Sequence, residues 1–257
     1  MGIKFTVVRS QFTVAGMSEL VTGNLDSAGF FSWIHGFLIK LLREHWKFGT
    51  GSGNPFRPKI TFMVAQIFLI RHGETQWSRT GQHTGRTDLP LTENGERQAS
   101  HLRGLLQAAQ FTHVLTSPLL RARRTCELAG FGAVARVEPD LHEWDYGDYE
   151  GRTSAEIHAQ QPGWNVFQDG CPHGESVEQI SQRADRVLAG LRPLDGTVAL
   201  FSHGHFLRSL AVRWIGLPLR EGQHFGLDTA SLSILGYERP NGENPVISLW
   251  NSSNVQR

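Results

Sequence analysis

The chain has 257 residues, with 25 Lys and Arg against 24 Asp and Glu, for a formal charge of +1. That balance gives no global attraction for nucleic acid or for an anionic membrane, so anion binding has to come from local clusters. The length allows one large domain plus an extension to bury a core without staples. Two cysteines, Cys126 and Cys171, make neither a disulfide framework nor a zinc site, and a reducing, cytoplasmic setting fits them.

Residues 1–62 differ from the rest of the chain. Lys4, Arg9, Lys40, Arg43, Lys47, Arg57 and Lys59 stand against Glu19, Asp26 and Glu44. Phe30, Phe31, Trp33, Ile34, Phe37, Leu38, Leu41 and Leu42 recur at helical spacing, so an amphipathic helix is expected there. The run is too short to cross a bilayer. It also lacks the basic, early start of a secretory signal. A membrane-surface helix or a targeting segment competes with an inert leader, and the inert leader is preferred. Gly49 to Pro55 reads as a linker. The main domain is expected over 63–257.

From Met63 onward strand and helix signals alternate. Val64 to Ile70 has the apolar run of a strand buried on both faces. A helix is expected from Leu91 to Gln110, with Ala99, Leu102, Leu105, Leu106 and Ala109 on one face. His113 to Ser117 predicts a strand, and Pro118 the first position of the next helix. Ala133 to Val137 is strand-like. Thr153-Ser154-Ala155-Glu156 is a capping box before a short helix. Ser176 to Leu191 predicts a longer helix whose stripe is Val177, Ile180, Ala184, Val187, Leu188 and Leu191. Thr197 to Phe201 is a buried strand, Phe206 to Ile215 a helix, and Ser231 to Leu235 and Val246 to Trp250 two closing strands. The alternation predicts a three-layer α/β sandwich, a mostly parallel sheet with helices on both faces.

Four stretches carry chemistry. The first strand stops at Arg71-His72-Gly73: a donor fork for phosphate oxygens, a nucleophilic imidazole and a glycine that lets backbone approach a ligand. The end of a central strand is where such sheets bind ligands. In Ser117-Pro118-Leu119-Leu120-Arg121-Ala122-Arg123-Arg124-Thr125, Arg121 and Thr125 share a helix face, while Arg123 and Arg124 suit solvent. Glu143-Trp144-Asp145-Tyr146-Gly147-Asp148-Tyr149-Glu150 sets four carboxyls among three aromatics, a place to tune an acid by desolvation, with Asp148 and Glu150 in a solvated turn. Ser202-His203-Gly204-His205 repeats the strand, histidine, glycine order.

These four stretches, in this order from Val64 to Trp250, resemble the histidine phosphatase (phosphoglycerate mutase-like) superfamily. The resemblance implies a phosphohistidine mechanism on a small phosphate ester, with no cofactor and no metal. His72 is then the nucleophile, Arg71, Arg121 and His203 hold phosphoryl oxygens, and Glu143 is the proton donor and later the base. Substrate contacts are implied for Ser78, Thr84, Gly85 and Tyr146 as well. Mutases of the superfamily carry Asn where Ser78 stands, and the acid loop is similar to the phosphatase branch. Trp77-Ser78, Gly81 to Gly85 and Trp164 to Cys171 are similar to sedoheptulose-bisphosphatase-type enzymes and to small bacterial acid phosphatases. A phosphatase acting on sugar phosphates is expected, with a mutase or a non-catalytic phosphate-binding module as alternatives. A metallohydrolase built on His203 and His205 requires the strand to run through Gly204, where it is expected to end. No nucleic-acid or membrane partner is expected for the domain, and a homo-oligomer stays open.

Overall fold

The computed structural model describes residues 5–8, 11–14, 64–238 and 244–253. The chain divides into two compact units, Met1–Lys59 and Ile60–Arg257. In the first, strands β1 (Phe5–Val8) and β2 (Gln11–Val14) pair antiparallel. The sequence reading has no counterpart for this hairpin. The helix expected over residues 30–42 and the glycine-rich linker lie outside the described residues.

The second unit is built on a six-stranded sheet in the order β5-β4-β6-β3-β7-β8. Its strands are β3 (Val64–Arg71), β4 (His113–Thr116), β5 (Arg136–Val137), β6 (Gly196–Ser202), β7 (Leu232–Tyr237) and β8 (Pro245–Ser252). β3 to β6 are mutually parallel, and β7 and β8 add antiparallel strands at one edge. Period-2 alternation divides the central strands between two cores. Ile67, Leu69, Val198 and Leu200 face one cluster, and Phe68, Ile70, Ala199 and Phe201 face the other. The first core is closed by helices Val177–Leu191 and Gly204–Trp214, the second by Glu93–Leu106 and Leu120–Leu128. Three layers form because both faces of these strands are apolar and both need covering.

Local signals place most elements, and the departures have physical causes. Gln66, inside the expected apolar run, is exposed beside a register shift between β3 and β6. The helix expected from Leu91 begins at Glu93, because the Thr92 hydroxyl accepts from Gly95 N and caps it. It ends at Leu106, where Ala109 N–H turns back to the Leu106 carbonyl. Pro118 lies before the next helix instead of opening it: Leu119 is the cap, and the Asp88 carboxylate accepts from Leu120 N at 2.7 Å. β5 has two residues where five were expected, both exposed. Thr153 with Glu156 and Ser176 with Gln179 form complete capping boxes. β6 ends at Ser202, and Gly204 already opens a helix.

Candidate active site

Parallel pairing brings the ends of β3, β4 and β6 to one edge of the sheet. His72 N–H donates to the Ser202 carbonyl at 3.0 Å, and Ser117 N–H to that of Phe201 at 2.9 Å. Arg71-His72, Ser117 and His203 therefore meet at the carboxyl ends of neighbouring strands, where α/β sheets open a crevice.

The His72 ring is buried, and its Nδ1 lies 2.7 Å from the Gly73 carbonyl. A carbonyl only accepts, so Nδ1 carries the proton and Nε2 keeps its lone pair. Burial, then the cations Arg121 and Arg71, hold the His72 pKa well below the usual histidine value. A neutral ring with a free Nε2 is a nucleophile ready at neutral pH. Gly73 is required by contact: a Cβ there would stand 2.4 Å from the Gly95 carbonyl oxygen. Its N–H donates to Thr125 Oγ1 at 3.0 Å, which places Thr125 on the site side of its helix together with Arg121.

Arg71 ends β3 and donates from Nη1 to the Leu227 carbonyl. Its Nε is buried and has no hydrogen-bond partner among the described residues. The Arg71 guanidinium passes so close to Gly204 that a Cβ would lie 3.2 Å from Cζ. An unmatched buried donor beside a nucleophilic imidazole is what an incoming oxyanion satisfies.

His203 is fully buried at the cap of helix Gly204–Trp214. Arg121 Nε donates to its Nδ1 at 3.1 Å, so His203 carries its proton on Nε2 and donates to Ser117 Oγ at 2.7 Å. Burial first, then Arg121, holds its pKa well below the ordinary value. The His72 and His203 ring centroids are 5.2 Å apart. Arg121, also fully buried, gives three more donors to backbone: Nη1 to the Thr87 carbonyl, Nη2 to those of Thr84 and Gly85 at 3.0 and 2.9 Å. The same loop is held from its other side by Glu150, which accepts from Gly85 N and Thr87 N. Glu150 is thus a loop anchor, which corrects the solvated turn expected for it. Asp148 is exposed and pairs with His173.

Glu143 is 5 % exposed. Its Oε1 accepts from Trp144 N and Phe206 N, both at 2.9 Å, and its Oε2 from His205 N at 3.0 Å. The carboxylate therefore sits on the first amides of helix Gly204–Trp214, whose N–H groups have no partner within the helix. The Trp144 ring, which the sequence set beside the carboxyl, packs edge-on against Phe167 at 5.5 Å and donates from Nε1 to the Glu175 carbonyl. What Trp144 gives Glu143 is a backbone N–H. Asp145 accepts instead from exposed Arg86.

The model of the histidine phosphatase superfamily (branch 1) matches residues 67–253. The chain belongs to the histidine phosphatase superfamily. It is an enzyme, a phosphatase. This histidine phosphatase is 43 % identical to an acid phosphatase of Mycobacterium tuberculosis, over 72 % of the chain and 92 % of that protein. It is 37 % identical to sedoheptulose 1,7-bisphosphatase of Saccharomyces cerevisiae, over 62 % of the chain and 70 % of that protein. A solved structure of a Mycobacterium tuberculosis protein superposes with a TM-score of 0.68 at 39 % identity, covering 74 % of the chain and 98 % of its own.

In the phosphatase a cavity of about 180 Å³ opens at this site, lined among others by Arg71, His72, Ser78, Thr84, Glu143 and Tyr146. Gly85, Arg121 and His203, also singled out from the sequence, are not among its lining residues; all three are buried. The Ser78 hydroxyl accepts from Thr75 N and donates to the Thr75 carbonyl, so it serves the cap of the short helix Gln76–Thr80. Tyr146 OH and His205 Nδ1 are 2.5 Å apart. Burial raises the pKa of the phenol and lowers that of the imidazole, so the phenol donates. Sequence reading missed His83 and Arg208, both of which line the cavity with His205. Arg208 has no motif of its own in the sequence. His83 had only its place in the Gly81 to Gly85 run.

Proposed function

We propose that this phosphatase hydrolyses small phosphate monoesters, sugar phosphates foremost, through a phosphohistidine on His72. The observation that carries the reading is the fixed tautomer of His72, with Nε2 free in the cavity that Arg71 also lines. In the first step Nε2 bonds to phosphorus as the bond to the leaving oxygen breaks, and Glu143 delivers the proton which that oxygen takes up. In the second step Glu143 takes a proton from water, the water oxygen attacks phosphorus, and the N–P bond breaks to release phosphate and restore neutral His72. Arg71 offers its unmatched Nε to the phosphoryl oxygens, and Arg121 and His203 supply fixed positive charge and dipole beneath them. No step needs a metal.

Sugar phosphates are favoured by two supports. The relatives include a sedoheptulose 1,7-bisphosphatase, and Arg208 gives the same cavity a second cation able to meet a second anionic group. Rapid-quench trapping of a labelled phosphoenzyme, with a panel of sugar bisphosphates, phosphoglycerates and an aryl phosphate, tests the proposal. His72→Ala should abolish both turnover and trapping while melting cooperatively. Normal turnover in that variant defeats the mechanism.

A further inference from the structure

Helix Val177–Leu191 carries one charged residue inside its apolar stripe. Arg183 is 2 % exposed and shares a face with the core residues Ile180, Ala184 and Val187. All five of its N–H donors are used. Nε and Nη2 grip Glu175 as a bidentate pair at 2.8 and 2.7 Å. Nη1 donates to the carbonyls of Asp140 and His142 at 2.8 and 2.7 Å, and Nη2 to that of Glu143 at 3.2 Å. Glu175 continues the grip. Its carboxylate accepts from Asp145 N at 3.0 Å, its carbonyl from Trp144 Nε1, and its N–H donates to the Asp145 carbonyl. The Arg183 guanidinium also lies 4.3 Å over the ring of Phe206, whose N–H holds Glu143 Oε1.

A buried ion pair is weak evidence for stability, because replacing both partners with apolar groups of similar size is often neutral or stabilising. This pair spends its remaining hydrogen bonds on one segment, Asp140 to Asp145. That segment has a single 3-10 turn at Pro139–Leu141 and no helix or strand beyond it, so side chains must fix its path. We propose that the Arg183–Glu175 pair positions Glu143 for its proton transfers, holding the backbone on either side of it so that the carboxylate meets the amides of His205 and Phe206 at the cavity wall. The inference rests on the reading of Glu143 as the acid. Arg183 and Glu175 are positioning residues and do not touch substrate.

The test uses leaving groups that differ in their need for a proton. For wild type, Glu143→Gln, and the double variant Arg183→Met with Glu175→Met, kcat/KM is measured on 4-nitrophenyl phosphate, phenyl phosphate and benzyl phosphate, together with the melting temperature. In Glu143→Gln the rate on benzyl phosphate should fall far more than that on 4-nitrophenyl phosphate. The double variant should melt near wild type and show the same selectivity, losing at least about tenfold more on benzyl phosphate, since small misplacements of a reacting group cost up to about 10²-fold. A merely structural pair would lower all three rates together or none. If Glu143→Gln is selective and the folded double variant is not, the inference fails while the acid assignment stands. If Glu143→Gln shows no selectivity, both fail. Should the double variant not fold, Arg183→Lys carries the same test: it keeps a charge beside Glu175 but lacks the planar fork, and unchanged leaving-group dependence in it overturns the inference.

Discussion

Acid should weaken this fold through a histidine of the cavity wall other than His72. His83 is half-buried in the cavity wall, its ring 4.8 Å from that of Tyr146 and 5.4 Å from that of Trp164. Loss of solvent lowers its pKa from 6.5 to about 4. As pH falls, the unfolded chain therefore takes up this proton before the folded protein does. Stability rises with pH wherever the unfolded state holds more protons, so the His83 contribution is complete above 6.5 and is lost toward pH 4. At pH 5 the two-state partition functions give a loss of about 2 kcal/mol relative to neutral pH. For a domain of this size that is about 4–8 °C in melting temperature. His83→Phe keeps a ring in place and removes the proton site. Thermal melts of both proteins at pH 7.5 and pH 5.0 should show wild type losing about 4–8 °C more than the variant. His72, His203 and His205, all held well below the ordinary value by burial, push in the same direction and remain in both proteins. An equal pH-dependent loss in the two proteins refutes the reasoning.

Two further outcomes are expected from the geometry and the domain division. Gly85→Ala sets a Cβ 2.5 Å from the Trp144 carbonyl oxygen and 2.7 Å from Glu150 Oε2. It should cost about 1–3 kcal/mol in urea unfolding and reduce turnover, and a variant of unchanged stability would show that the Arg121–Glu150 grip on this loop is loose. Deleting residues 1–62 should leave kcat/KM and melting temperature unchanged, because the site motifs begin at Arg71; insolubility or a lower melting temperature in the truncated protein would show that the apolar residues 30–42 pack on the domain.

The outline of the candidate site was legible because its signals are local. An apolar run that ends in Arg71-His72-Gly73 needs no distant information to be read as a strand delivering a nucleophile. Arg121 and Thr125, one helical turn apart, were placed on one face by spacing alone, and the structure sets both at the site. The capping box at Thr153 located a helix start for the same reason. The family pattern picked Glu143 from four neighbouring carboxyls, and the structure sets it against backbone N–H groups at a helix start in the cavity wall.

The use of each buried polar group came from the packing alone. Arg183 lies in an apolar stripe that periodicity reads correctly, yet its partners include the Asp140 carbonyl, 43 residues away. The sequence sets Arg121 on a helix face and Glu150 in a solvated turn, and folding assigns both to the Thr84 to Thr87 loop. His83 and Arg208 carry no local pattern and line the same cavity because distant segments pack there. Hydrophobic periodicity reports which face of an element leaves water, over a turn or two of chain. It does not report which donor meets which acceptor, because a buried polar group must find its partner wherever the packed layers bring one within 3 Å or so. Local chain signals thus set the strands, the helices and the place of His72 at a strand end, and the stacking of the layers set what holds Glu143 and shapes the cavity.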